Sequence, residues 1–226
     1  MVLVDGIGEN LEEIGHPSRF QNGHPVFSAV KNFLLVVFFS SVVFTILNLP
    51  AYSKIIRYRL NPSQFAISAP PPVPRTKTEE PKPVKHYDEN RLIIPKIGVE
   101  APINWDVESG NIMDTLQNGL VHLKDTGKPE EGKNIFITGH SSNYWWRKGG
   151  YNTVFALLPQ LEEDDEIFIT YKSKIFKFAV FKKLEVKKKE AENYVKAEGE
   201  QLTLMTCVPV GTNLERLLVI AKPLKE

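Results

Sequence analysis

The chain has 226 residues, of which 42% are hydrophobic and 24% charged, and its 28 Lys and Arg residues against 27 Asp and Glu residues give a formal net charge of +1. This length allows one domain with accessory segments, and the composition excludes a collagen-like or wholly disordered protein. A nearly neutral chain has no field that would attract nucleic-acid phosphates, so we expect no nucleic-acid partner.

The first long feature is an apolar run near the N-terminus. Residues 32–53 carry no charged side chain, and residues 33–49 read FLLVVFFSSVVFTILNL. This is enough to cross a bilayer, which needs about 17–25 helical residues. We therefore predict an N-terminal cytoplasmic tail at 1–31 and one transmembrane anchor at 32–53. A cleaved signal peptide fits less well, because the run starts late and exceeds the usual length of the apolar region.

Basic residues on the two sides of this run do not decide its orientation. Arg19 and Lys31 precede it, and Lys54, Arg57 and Arg59 follow it. By number alone the C-terminal side would be cytoplasmic, but the margin is a single residue and long domains translocate largely regardless of such charges. The orientation must therefore follow from the chemistry of the domain.

Residues 54–89 are predicted to form a Pro-rich linker. Seven of the 16 prolines fall within residues 61–88, which contain almost no large aliphatic side chains. Such a segment is a poor core former, and polyproline geometry advances about 3.1 Å per residue. We expect it to act as a semi-rigid spacer that holds the following domain several nanometres from the membrane.

The remaining residues, 90–226, are predicted to form one all-β domain. Short apolar runs between turn residues fit strands, and alternation after the polar turn at 171–174 predicts a hairpin. Helix signals are brief, at 114–118 and 153–158. Because no βαβ rhythm is present, the pattern indicates a closed or nearly closed β-barrel with a few short helices. The strand-like runs that carry this prediction are 92–94, 135–137, 167–169, 176–180 and 217–220.

Two strand-like runs lead directly to a reactive side chain, residues 135–137 to His140 and residues 202–206 to Cys207. Taken alone, each is more often structural, since free cysteine is among the most buried residue types. A thiol, a histidine that moves protons and an arginine that holds an oxyanion together supply the parts for acyl transfer. If Arg216 lies in the strand after Cys207, a turn containing Asn213 brings both side chains to one end of an antiparallel pair.

These residues resemble the sortases, which are membrane-anchored cysteine transpeptidases of bacterial cell surfaces. Leu202–Cys207 reads LTLMTC, similar to the family's T-L-x-T-C signature, and Arg216 follows the cysteine by nine residues, where the family has its arginine. Thr138-Gly139-His140 matches the histidine motif. Weaker matches are IPKIGV at 94–99 and GKN at 132–134. The resemblance covers about residues 90–224 and the order of anchor, spacer and domain.

The resemblance implies a sortase-type barrel of about eight strands and a specific reaction. Cys207 would attack the carbonyl after the threonine of an LPxTG-like sorting signal in a surface protein, forming a thioester. His140 would protonate the departing amine and later accept a proton from the incoming one, while Arg216 would hold the substrate or its oxyanion. The expected substrate-binding residues are Thr206, His122 and Asn213.

The resemblance also implies the partners and the location. The acceptor would be an amine, such as that of a cell-wall precursor or of another protein, and hydrolysis would be the side reaction. The protein would be a single-pass protein of the cell membrane with its catalytic domain outside the cytoplasm. No cofactor or metal is expected, because the sequence has no EF-hand-like acidic loop and too few His and Cys residues for a zinc site.

Some alternatives stay open. The cluster Tyr144-Trp145-Trp146 lines a substrate groove or simply packs the barrel. The chain has no Asp-Pro-aromatic lid motif, so a pilin-polymerising role is not supported. An L,D-transpeptidase would place its cysteine in a Ser-His-Gly-Cys-like context, whereas here Val208-Pro209 follows Cys207. A membrane-tethered β-barrel adhesin would keep Cys207 buried and silent.

Overall fold

The computed structural model describes residues 25–71, 89–144 and 146–224. The chain divides into two compact units, Met1–Val42 and Val43–Glu226. The described residues of the first unit belong to helix α1 (Pro25–Leu47), whose stretch Val26–Leu47 is long and apolar enough to cross a membrane. This candidate anchor lies closer to the N-terminus than the predicted span at 32–53, because the helix extends through Lys31 and ends before Pro50.

In the second unit, helix α2 (Leu49–Leu60) follows at once, with Pro50 in its first turn, where a missing backbone N–H costs nothing. Ala51 and Tyr58 on one face of α2 are buried, and Tyr58 joins the barrel core. Its ring meets that of Phe65 edge-on, with 5.6 Å between the centroids. Residues 49–60 are therefore a packed part of the second unit.

The segment after α2 also lies on the barrel. Phe65 packs against the core, and its carbonyl passes so close to Gly98 that a Cβ on this glycine would clash with the oxygen. The backbone N–H of Ile67 donates to Pro95 O at 3.1 Å. Residues 61–71 of the expected spacer thus rest on the barrel instead of extending away from it, and residues 72–88 lie outside the described residues.

Eight strands close into a barrel in the order β1-β2-β3-β4-β7-β8-β6-β5. This confirms the predicted all-β barrel with few short helices. Most neighbours run antiparallel, but the pairs β2·β3 and β4·β7 are parallel. The strands are β1 (Arg91–Ile94), β2 (Val99–Val107), β3 (Leu120–Leu123), β4 (Asn134–Thr138), β5 (Glu166–Tyr171), β6 (Lys174–Lys187), β7 (Gln201–Val208) and β8 (Glu215–Pro223).

The predicted hairpin is confirmed. Tyr171 pairs with Lys174, and the two turn residues between them adopt positive φ angles of 48° and 59°, as two-residue hairpin turns require. The apolar alternation of β6 buries Phe178 and Val180 in the barrel core.

The helices of the barrel domain are shorter than the sequence suggests. One is α3 (Ile112–Thr115), which begins before the predicted helix at 114–118 and ends within it. Residues 153–157 form turns instead of an α-helix, and a 3₁₀ turn follows at Leu158–Gln160, where Pro159 lacks the donor that an α-helix would use. The remaining short elements are α4 (Lys188–Ala191) and 3₁₀ turns at Pro62–Gln64, Pro95–Ile97, Ser109–Asn111 and Glu192–Tyr194.

Candidate active site

Strands β4, β7 and β8 bring the three expected catalytic residues to one end of the barrel. The parallel pair β4·β7 is in register at Thr138 and Met205, so His140 and Cys207 both lie where these two strands end. Strand β8 runs back from this end, and Arg216 is the direct partner of Cys207 in the β7·β8 ladder. We call this end of the barrel the site end.

Alternation along the strands places the cysteine and the arginine on the outer face of the barrel wall. Leu204 and Val208 of β7 point into the core, and so does Leu217 of β8, so their neighbours Cys207 and Arg216 point the other way. Directly opposed residues in an antiparallel pair have their Cβ atoms about 4.5–5.5 Å apart. The thiol and the guanidinium therefore share one face.

The connection from β7 to β8 contributes a polar group to this face. Cys207 is half-buried, and its thiol donates to Asn213 Oδ1 with 3.7 Å between sulfur and oxygen. Arg216 is 8% exposed, and its Nη1 donates to Glu215 O at 3.0 Å. A guanidinium has five N–H donors, so the group retains donors for a further partner.

His140 is partly buried just past β4, where its carbonyl accepts from Phe155 N at 2.9 Å. Its Nε2 is buried and has no hydrogen-bond partner among the described residues, so this nitrogen makes no hydrogen bond to the thiol. Burial lowers the pKa of this imidazole below its ordinary value of 6.5. A neutral imidazole is suited to accept a proton, and catalytic hydrogen bonds often tighten only when substrate is bound.

The side chain of Thr206 is enclosed in the barrel and does not lie on its surface. Its side chain is 1% exposed, and its hydroxyl donates to Gly139 O at 2.8 Å. This bond ties the strand of Cys207 to the residue that precedes His140. A Cβ on Gly139 would lie 2.6 Å from both Leu120 Cδ2 and Phe155 Cδ2, so this position requires glycine.

His122, on β3, is fully buried and makes only internal contacts within the described part of the chain. Its Nδ1 accepts from Asp106 N at 3.2 Å and its Nε2 donates to Gly127 O at 2.8 Å. The ring of Trp105 lies 4.7 Å from the imidazole, and burial lowers the pKa of His122. Of the three expected substrate-binding residues, the structure thus brings Asn213 to the thiol, while Thr206 and His122 are enclosed.

Residues after His140 form an exposed loop with stacked aromatic rings. The rings of Tyr144 and Trp146 are 4.7 Å apart and nearly parallel, and both side chains are about half exposed, at 49% and 53%. Side chains this exposed do not fill the barrel core. Trp145, the third aromatic residue of the cluster, lies outside the described residues.

Sequence reasoning missed two contacts of α2 with the loops at the site end. Tyr52 Oη donates to Val210 O at 3.2 Å, and Lys54 Nζ donates to Thr153 O at 3.0 Å. Burial lowers the pKa of Lys54. The helical spacing of Ala51, Ile55 and Tyr58 was the available signal, since it marks a face that packs.

Sequence reasoning also missed the role of Asn134, the last residue of the weak GKN match. Its amide Nδ2 donates to Tyr194 O at 2.9 Å and Val195 O at 3.0 Å, and its Oδ1 accepts from Thr203 Oγ1 at 2.7 Å. These bonds hold the connection between β6 and β7 against the outer face of β4 and β7. That connection thereby borders the face that carries Cys207.

Comparison with known proteins agrees with this architecture. A family model described as a sortase domain matches residues 92–224. Sortase D of Bacillus subtilis (strain 168) is 31% identical over 145 residues, which is 62% of this chain and 66% of that protein, just under two thirds of its length. The strand order of the barrel and the cysteine on its outer face are those of a cysteine transpeptidase of the sortase type. The chain belongs to the sortase family, whose members are cysteine transpeptidases. The L,D-transpeptidase alternative is thereby excluded.

Solved structures give the same result. The crystal structure of sortase C-1 from Actinomyces oris is 30% identical with a TM-score of 0.51, and the match covers 60% of this chain and 73% of that one. Sortase A from Corynebacterium diphtheriae is 29% identical with a TM-score of 0.50, and 60% of each chain is covered. The similarity thus lies in the barrel domain.

Proposed function

We propose that this sortase cleaves an LPxTG-like sorting signal of surface proteins and transfers the acyl part to an amine acceptor, such as a cell-wall precursor or another protein. The opposition of Cys207 and Arg216 on the outer face, with His140 at the end of the adjoining strand, carries the proposal. An extended peptide can approach this face because it lies outside the core.

In the first half of the reaction, the Cys207 thiol passes its proton to the neutral His140 ring, and the sulfur forms a bond with the threonine carbonyl carbon of the signal. The carbonyl oxygen becomes an oxyanion, which the guanidinium of Arg216 stabilises because it is always charged. The C–N bond then breaks, and the departing amine takes a proton from His140. The product is a thioester between Cys207 and the substrate protein.

The second half reverses these roles. The acceptor amine attacks the thioester carbon and passes a proton to His140, whose lowered pKa favours the neutral ring that accepts it. The C–S bond breaks and the sulfur takes this proton from His140, so the thiol and the neutral ring are both regenerated. With water in place of the amine, the same steps hydrolyse the signal.

The proposed location follows from the substrates. Helix α1 anchors the chain as a single-pass membrane protein, and the barrel faces the outside of the cytoplasmic membrane, where surface proteins and cell-wall precursors meet. Access of a membrane-impermeant reagent to Cys207 in intact cells tests this orientation. Labelling only after the cells are opened would contradict it.

Mass spectrometry tests the reaction directly. The full chain in nanodiscs is mixed with a library of sorting-signal peptides and candidate amines, and thioester and ligated products are identified. Cys207→Ala should reduce turnover by at least about ten-thousandfold, since the nucleophile is lost. Turnover by Cys207→Ala near the wild-type rate would refute the proposal.

Two further measurements separate the roles. Arg216→Lys should lower kcat by roughly a hundredfold or more, because a point charge does not reproduce the planar fork of donors. A bulky thiol reagent should label Cys207 in the folded protein. A sulfur that resists the reagent until the protein unfolds would instead favour the adhesin with a silent cysteine.

A further inference from the structure

The exposed loop after His140 has the composition of a segment that meets a membrane surface. We define the aromatic-basic loop as residues 142–144 and 146–150, which include Tyr144, Trp146, Arg147 and Lys148. No Asp or Glu occurs from residue 132 to residue 161, so no acidic neighbour in the sequence offsets its cations. Arg147 and Lys148 are exposed, as are the two stacked rings.

The position of this loop follows from the topology. Strand β4 ends, and β5 begins, at the site end, so the whole connection between them lies there. The connection from β7 to β8 lies at the same end, and its Leu214 is 71% exposed. Large exposed apolar side chains and cations are therefore displayed at the site end.

Chain connectivity brings this end close to the candidate anchor. Tyr52 and Lys54 bind the two loops of the site end, through Val210 O and Thr153 O. Four residues separate Tyr52 from Leu47, the last residue of the candidate span. Even a fully extended chain covers at most roughly 18 Å over these five steps. Tyr52, whose side chain binds a loop of the site end, thus stays within this distance of the anchor's end, whatever the direction of the anchor.

We propose that the aromatic-basic loop docks on the surface of the bilayer that α1 spans, with Tyr144 and Trp146 at the headgroup level and Arg147 and Lys148 on anionic lipid. Tyrosine and tryptophan are enriched at this level because their rings are apolar and their tips polar. Cations next to them are attracted by anionic headgroups. The docked loop would hold the site end at the membrane surface, near substrates that are themselves held there.

The inference rests on the anchor and not on the proposed reaction, so its test uses no substrate. Two glycines allow a matched pair of probes, because a Cβ at Gly150 or at Gly110 meets no atom within 4 Å. Gly150 lies in the aromatic-basic loop. Gly110 follows the end of β2, at the opposite end of the barrel, since β2 runs parallel to β3 and β3 runs antiparallel to β4.

The full chain carrying Cys207→Ser and either Gly150→Cys or Gly110→Cys is labelled with a fluorophore and reconstituted into nanodiscs. The discs contain phosphatidylcholine with or without phosphatidylglycerol, plus a lipid with a spin label on its headgroup. The spin label should quench the probe at residue 150 and leave the probe at residue 110 bright. Quenching at residue 150 should increase with phosphatidylglycerol. It should decrease at high salt, because screening shortens the range of the attraction between the cations and the anionic lipid.

Charge variants sharpen the test. Arg147→Gln with Lys148→Gln should weaken docking on anionic discs by up to roughly thirtyfold, whereas Lys172→Gln with Lys174→Gln, at the far hairpin, should leave it unchanged. Tyr144→Ser with Trp146→Ser should reduce quenching on both kinds of disc. Near-ultraviolet circular dichroism verifies that each variant is folded.

Equal quenching at residues 150 and 110, or none at residue 150, would overturn the proposal. So would a chain that does not co-elute with the discs, since the anchor would then be wrong. If the probe at residue 150 stays bright while the loop binds soluble poly(glycerol phosphate), the loop recognises a polyanion and the membrane assignment fails.

Discussion

The hydroxyl of Thr206 offers the sharpest test of how the barrel positions its histidine. It donates to Gly139 O at 2.8 Å, both groups are buried, and Gly139 precedes His140. Thr206→Val keeps the shape of the side chain but removes the donor. The buried carbonyl then loses its partner, which costs about 1–3 kcal/mol. At about 2–4 °C per kcal/mol for a domain of this size, Tm should fall by roughly 2–12 °C.

Thr206→Val should also lower the rate of the catalysed reaction. Without the bond, the backbone that carries His140 is free to shift, and a displacement of about 1 Å at a reacting group can lower the rate roughly a hundredfold. We expect kcat to decrease for Thr206→Val, with KM nearly unchanged. Thr206→Ser is the matched control, because it retains the hydroxyl and loses only a buried methyl group, at a cost of about 1 kcal/mol.

Peptide turnover and thermal unfolding of the full chain in nanodiscs, followed by near-ultraviolet circular dichroism, give both quantities. Wild-type stability and wild-type kcat in Thr206→Val would refute the reasoning. A raised KM with unchanged stability would place the hydroxyl against the substrate, as the sequence suggested.

Three further outcomes are expected. Gly139→Ala should lower Tm, because overpacking around the new methyl group costs about 1–3 kcal/mol of stability, whereas Gly110→Ala has open space around its Cβ and should not lower it. Equal Tm values for the two variants would show that the site around Gly139 is not crowded. Tyr58→Ala should loosen α2 by about 3 kcal/mol, seen as roughly hundredfold faster amide hydrogen exchange in α2, and unchanged exchange would mean that the helix is not held by this ring. Burial lowers the pKa of His122 and His140, so as the pH falls below 6.5 the unfolded chain takes up protons before the folded chain does. The free energy of unfolding should therefore be highest above pH 6.5 and decrease toward pH 5, and His122→Gln should make this decrease smaller. A Tm that rises as the pH is lowered from 6.5 to 5 would refute this prediction.

Much of the fold follows from local patterns. Alternating and continuous apolar runs predicted the strands around Ile135, Ile167 and Leu217, and the polar turn at 171–174 predicted the hairpin. These features can be predicted because successive side chains in a strand point to opposite faces of the sheet, so the sequence shows the buried face directly. The short helices were less readable, since four-residue pieces such as α3 have too little periodicity to mark their ends.

The burial and hydrogen-bond partners of individual polar residues could not be predicted from the sequence. Thr206 and His122 are enclosed, and each binds a backbone group distant in sequence, Gly139 O in one case and Asp106 N in the other. The docking of α2 depends in the same way on a surface that exists only once the strands have closed. A spacing pattern records none of these partners.

The sequence by itself determined which residues could react, the order of anchor and barrel, and the meeting of Cys207 with Arg216, because a turn between adjacent strands returns the chain to where it left. Only the tertiary structure decided that Asn213 reaches the thiol, that Thr206 supports the backbone before His140, and that α2 binds the loops of the site end. These contacts join residues distant in sequence or depend on side-chain direction in a loop, and closure and register of the barrel select them.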